Sequence, residues 1–147
     1  MKKWALVCVF MLLAVPAFSA QLKEEIVPST TLSKTNIVTG GSAYTGDSKR
    51  VSFFVAYDSS DTTTGVTANV TASFSYDGVN WTPACWYDTD GGVTPQTEQI
   101  LTRDETYAGW FPPAPIPYIR IGIKMVNTAV YGASEQGTVS VDVVKDE

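Results

Sequence analysis

Four stretches of this chain alternate apolar and polar residues with a period of two, and that pattern decides what the chain can fold into. From Val66 to Tyr76 the series Val66, Ala68, Val70, Ala72, Phe74, Tyr76 takes one side, and Thr67, Asn69, Thr71, Ser73, Ser75 the other. The same parity places Val51, Phe53, Val55 and Tyr57 on one side of 50–57, and Ile119, Ile121, Ile123 and Met125 on one side of 118–126. It sets Val139, Val141 and Val143 together in 138–144. Successive side chains on a strand point to opposite faces, so each stretch reads as a half-buried strand. The inward positions are mostly β-branched or aromatic, which suits a pleated surface. Weaker strands are expected at Val79–Tyr87, Thr97–Leu101 and Ile37–Thr39, and no segment carries a helical repeat. Seven or eight short strands separated by turn clusters predict an all-β domain, an antiparallel β-sandwich or jelly roll without substantial helix.

Breakers set the loops. Gly40-Gly41 to Asp47, Asp58 to Gly65 and Asp88 to Pro95 read as loops, and Asp77-Gly78 as a tight hairpin turn. Four prolines between Trp110 and Pro117 predict a stiff connector. The start of the chain reads differently. Met1-Lys2-Lys3 is basic, Trp4 to Val15 is almost wholly apolar, Pro16 breaks the run, and Ala17-Phe18-Ser19 supplies small residues for cleavage after Ser19. Residues 1–19 are therefore expected to be a removable signal peptide, too short to span a membrane. The compact leader suggests a bacterial protein, secreted or held at the cell surface. Residues 20–39 are polar, contain Pro28, and read as an extended arm or edge strand; 40–147 form the sandwich.

Composition removes whole classes of chemistry. The chain of 147 residues has no histidine and two cysteines, Cys8 in the leader and Cys85. Histidine-based triads, four-cysteine zinc sites and a disulfide framework are excluded. Paired carboxylates such as Asp58, Asp61, Asp88, Asp90, Asp104 and Glu105 all fall in expected loops, where acidic residues are ordinary, so no enzyme is expected. Without Lys2 and Lys3, 8 basic residues face 15 acidic ones, a net charge of −7. Such a chain repels nucleic acid and anionic lipid.

Asp88-Thr89-Asp90-Gly91 has the alternate-carboxylate spacing of calcium loops, which makes Asp88 and Asp90 candidate ligands of a structural calcium. The rest of a calcium loop is missing, so a solvated turn explains the same residues; no other cofactor is expected. Trp86, Tyr107, Trp110 and Phe111 are candidate binding aromatics, because flat exposed rings stack on sugars and anchor interfaces. They serve equally as plugs at an open end of the sandwich. Trp81, Cys85 and Tyr87 share one parity, expected to face the core, and Trp86 takes the other. Cys85 is expected buried and free.

Ser75-Tyr76-Asp77-Gly78-Val79-Asn80-Trp81 resembles the S-x-D-G-x-x-W hairpin of discoidin (coagulation factor 5/8 type C) domains. Tyr118-Ile119-Arg120-Ile121 is similar to their later aromatic-[Ile/Val]-Arg-Ile strand. The resemblance covers about residues 70–124 and implies a jelly-roll sandwich that binds ligands through loops at one end. It transfers no binding residue, and the usual disulfide joining the domain's ends cannot form.

Two functions are consistent with these features. A structural subunit would assemble with copies of itself into an extracellular filament, pilus-like fibre or surface layer. Its contact would be strand addition by the arm, through Ile26, Val27, Ile37 and Val38. The alternative is a carbohydrate-binding module whose exposed aromatics take glycans.

Overall fold

The structure is a computed structural model describing residues 21–33, 38–46, 48–59, 67–89, 92–102, 104–115, 117–126 and 136–146. Residues 1–20, which include the expected signal peptide, and Ile37, Asp61 and Asp90 lie outside the described residues. Ten strands follow in order: β1 (Gln21–Ser33), β2 (Val38–Tyr44), β3 (Arg50–Ser59), β4 (Thr67–Ser75), β5 (Thr82–Pro83), β6 (Tyr87–Asp88), β7 (Glu98–Leu101), β8 (Glu105–Phe111), β9 (Tyr118–Val126) and β10 (Gln136–Asp146). Among the described residues there is no helix.

Pairing is antiparallel throughout and nested. β1 pairs with β10, β2 with β9, β3 with β8 and β4 with β7, as in one long hairpin. Rolling that hairpin sets β10 beside β3 and β9 beside β4. The products are sheet A, ordered β1-β10-β3-β8-β6, and sheet B, ordered β2-β9-β4 with β5 and β7 sharing the far edge of β4. This is jelly-roll connectivity.

The two inner faces close one core. Phe53, Val55 and Tyr57 of β3 meet Ala68, Val70 and Ala72 of β4, with Ile119, Ile121 and Ile123 of β9 and Val139, Val141 and Val143 of β10. All are buried, on the sides that alternation assigns. Tyr76 departs from its series: it lies past the end of β4 and is exposed.

Three local readings are corrected. Gly40-Gly41 is the middle of β2 rather than a loop, because β1 crosses there: a Cβ on Gly41 would collide with the Ile26 carbonyl. Trp110 and Phe111 end β8, a strand absent from the pattern reading, and the proline connector begins after them. Val79–Tyr87 is not one strand but two short pieces, β5 and β6. The polar segment at the start is β1, at the edge of sheet A, and its alternation is broken by register shifts between Glu25 and Val27 and between Val27 and Thr30. It runs along β10 from Gln21 opposite Asp146 to Ser33 opposite Gln136.

Candidate functional site

Of the four candidate aromatics, three are core. Trp86 is 0% exposed, and its Nε1–H donates to the Tyr107 hydroxyl at 2.8 Å. Phe53 meets Trp86 edge-on at 5.6 Å between centroids, with Tyr107 at 6.1 Å and Phe111 at 5.5 Å from the same ring. Gly109 leaves room for this cluster; a Cβ there would lie 2.6 Å from both Phe53 Cζ and Trp86 Cδ1. A sealed ring offers no face to a sugar, so Trp86, Tyr107 and Phe111 are corrected from binding aromatics to packing. Their burial has a clear cause: the indole finds its hydrogen-bond partner inside, so it enters the core without an unpaired donor.

Trp110 lies on the outer face of sheet A and is half-buried. Tyr87 of β6 stacks on it at 5.0 Å and 25°, and the Arg50 guanidinium of β3 sits 5.5 Å from its centroid. These strands flank β8 on opposite sides, so both faces of the indole are covered. Trp110 is a rung of a cross-strand ladder and not an open platform. The parity expected for Trp81, Cys85 and Tyr87 is also reversed: Cys85 is exposed and free, Tyr87 half-buried, and Trp86 inward. Parity counting fails across this stretch because the chain is irregular between β5 and β6, where Trp86 makes an isolated bridge with Gln96.

The arm residues fall inside the domain. Val27 is buried and Ile26 packs on the core, while Val38 is exposed on β2. Asp88 is half-buried beside β8; its expected partner Asp90 lies outside the described residues. Among the described residues no three acidic, cysteine or histidine side chains gather as a metal site would require.

The outer face of sheet B is where unassigned features converge. Alternation on β9 turns Tyr118, Arg120, Gly122 and Lys124 outward, because Ile119, Ile121, Ile123 and Met125 are buried. Register sets Ser42 and Ser73 on either side of Arg120, and Gly40 and Thr71 on either side of Gly122. Tyr44 lies opposite Tyr118 with ring centroids 5.1 Å apart. Val38, Tyr44 and Ile100 are 57%, 60% and 53% exposed on this face. It is a floor of small residues bounded by aromatic and aliphatic side chains.

The hairpin after β4 supplies one wall. Ser75 Oγ donates to Asp77 Oδ1 at 2.9 Å and accepts the Gly78 amide at 2.9 Å. Asp77 accepts the amides of Asn80 and Val79, both at 2.8 Å, and the Asn80 side-chain amide at 2.7 Å. The backbone amide of Asn80, then that of Val79, together with the side chains of Asn80 and Ser75, hold this carboxyl well below the usual carboxylate range. Gly78 has φ +74°, the left-handed conformation that glycine takes without strain. The turn delivers Trp81 under Arg120, whose guanidinium lies 4.3 Å from the ring centroid. The two sequence motifs that resemble discoidin domains thus meet in space, at Trp81 and Arg120. Sequence reading passed over Arg120, although a charged residue at an outward position between buried isoleucines was its signal.

In sequence the chain matches no family model and no curated protein. In structure it is similar to the SPBc2 prophage-derived protein YomS, at TM-score 0.56 and 9% identity over 85% of this chain and 93% of that one. It also aligns with PirA, at TM-score 0.36 and 13% identity over 86% and 93% of the two chains. A third alignment is to the Clostridium thermocellum xylanase 10B CBM22-1–GH10 modules complexed with xylohexaose, at TM-score 0.42 and 8% identity. It covers 87% of this chain and 26% of that one. The last two scores carry no inference, and the likeness to YomS is one of β-sandwich fold.

Proposed function

We propose that this chain is a non-catalytic structural subunit, secreted by a bacterium, that assembles with copies of itself through the outer faces of its sandwich. The exposed face of sheet B supports this reading. A sheet face that keeps Val38, Tyr44 and Ile100 more than half exposed beside a stacked tryptophan suits an interface better than a solvated wall. Face contact replaces the strand addition expected from sequence. β1 is taken up by β10, and its charges, Pro28 and two register shifts against β10 make it an irregular strand that pairs poorly at its outer edge. At the far edges β5 and β6 have two residues each and β7 four, too short to template a neighbour; the remaining edge is β2, seven residues with Gly40 and Gly41 at its centre, which weaken a strand. The test is negative-stain electron microscopy with light scattering across a concentration series. Regular assemblies are the expected result; a chain that stays monomeric at high concentration would sink the reading.

A glycan-binding role is the second reading, favoured by one observation. The small-residue floor at Gly40, Gly122 and Thr71 lies between Tyr44 and Trp81 on one side and Val38 and Ile100 on the other. Saccharide titrations of tryptophan fluorescence test it. A response lost in Trp81→Ala supports it, and silence across a broad panel removes it.

A further inference from the structure

We infer that the stacked Arg120–Trp81 pair of one copy docks into an acid-rimmed trough on the opposite outer face of the next copy. This contact rests on the self-assembly reading above and specifies its interface. The donor half is unusual for an acidic chain. Arg120 points outward from β9 and is exposed, its guanidinium lies on Trp81, and among the described residues it has no ion-pair partner. Stacking holds the planar fork in place, so little side-chain freedom remains to be lost on binding. Arginine and tryptophan are also the residue types that most often dominate interface energies.

The acceptor half lies on the outer face of sheet A. There Ala56, Tyr57, Asp58, Asp104, Thr106, Thr138 and Ser140 line an open trough of about 460 Å³. Its outward orientation follows from the alternation with buried Val55, Tyr57, Tyr107 and Val139. Four of the seven lining residues are alanine, serine or threonine, which leaves room for a large aromatic group. Asp58 and Asp104 are both exposed and supply carboxylates at its rim. A guanidinium meets a carboxylate through two parallel hydrogen bonds, so charge, shape and donor geometry agree between the halves. The same pair cannot dock on itself, since two Arg120 side chains would repel.

The two halves face away from each other across one sandwich, because sheets A and B turn their inner faces to the common core. A contact between different patches is heterologous. Unless its rotation closes a ring, it repeats into a filament. The attraction is between solvent-exposed charges, so added salt weakens it.

The test uses the secreted chain and two charge reversals, Arg120→Glu and Asp58→Lys, followed by light scattering and electron microscopy. Thermal unfolding checks that both variants fold. Each variant alone is expected to need about thirtyfold more protein to assemble, the scale of a lost arginine anchor. Mixed one to one they are expected to assemble at lower concentration than either alone, because Asp58→Lys keeps a working pair for the intact trough of Arg120→Glu, and the two reversed patches are again opposite in charge. If either reversal fails to fold, Arg120→Gln and Asp58→Asn take its place, with the same direction expected. Two results overturn the contact. Assemblies that form normally in both variants show that another face is used, and leave the self-assembly reading standing. A wild-type chain that stays monomeric removes both.

Discussion

Replacing Trp86 by phenylalanine separates a core plug from a binding platform more sharply than any ligand screen. The indole is fully buried, and its Nε1–H is bonded to the Tyr107 hydroxyl at 2.8 Å. Phenylalanine keeps a ring against Phe53 but removes that donor, at a cost of about 0.5–1.5 kcal/mol. It also withdraws roughly 40 Å² of buried apolar surface, about 1 kcal/mol at 25 cal/mol per Å². A small cavity beside Gly109 adds a few tenths of a kcal/mol at about 24 cal/mol per Å³. The expected loss is about 2–3 kcal/mol. For a domain of roughly 125 residues that lowers the Tm by about 8–12 °C, at about 2 cal/mol/K of unfolding entropy per residue. Circular dichroism during heating and in urea measures it, with an unchanged m-value showing that stability alone has moved. An exposed ring would change stability by less than about 0.5 kcal/mol. A shift that small would refute the burial argument and restore Trp86 as a surface aromatic.

Three further outcomes follow from single positions. Gly109→Ala places a Cβ 2.6 Å from Phe53 and Trp86, and overpacking of this kind costs about 1–3 kcal/mol; the urea midpoint should fall accordingly. Asp77 has a lowered folded-state pKa, so it stabilises the fold above its ordinary value of 3.8 and loses that contribution as pH falls toward the folded value. The Tm gap between wild type and Asp77→Ala should therefore be full near neutrality and close in strong acid; a gap that widens on acidification would contradict the hydrogen-bond account. Cys85 is exposed, so a thiol reagent should modify it in the native state at close to its unfolded rate, and strong protection would show that it is covered.

How much of this was legible in the sequence differs by element. The inward sides of β3, β4, β9 and β10 were readable because strand parity is local: once Val55 faces in, Phe53 and Tyr57 must do so too. The hairpin at Asp77-Gly78 was equally local. β1 was legible only as an arm or edge strand, because two register shifts scramble its alternation. Trp86 faces inward against the expected parity because β5 and β6 are separate pieces, and a parity carried through Pro83 does not hold across the gap between them. Of the candidate site, Trp81 and Arg120 each stood in a recognisable motif, but nothing local joined them.

The sequence by itself therefore determined that the chain is all-β, which side of its regular strands is apolar, that histidine is absent, and that two cysteines cannot build a framework of several disulfides. Those are properties of residue type and of neighbours two apart. Tertiary structure alone decided the rest. Nested pairing puts Gln21 opposite Asp146, and the rolled hairpin brings Arg120 of β9 over Trp81 beyond the end of β4. It also decides that Trp86 is sealed in while Trp110 is covered on both faces by Tyr87 and Arg50. Such contacts join residues tens of positions apart, and they form only because two sheets must bury their apolar faces against one another. No local periodicity records which distant strand closes that surface.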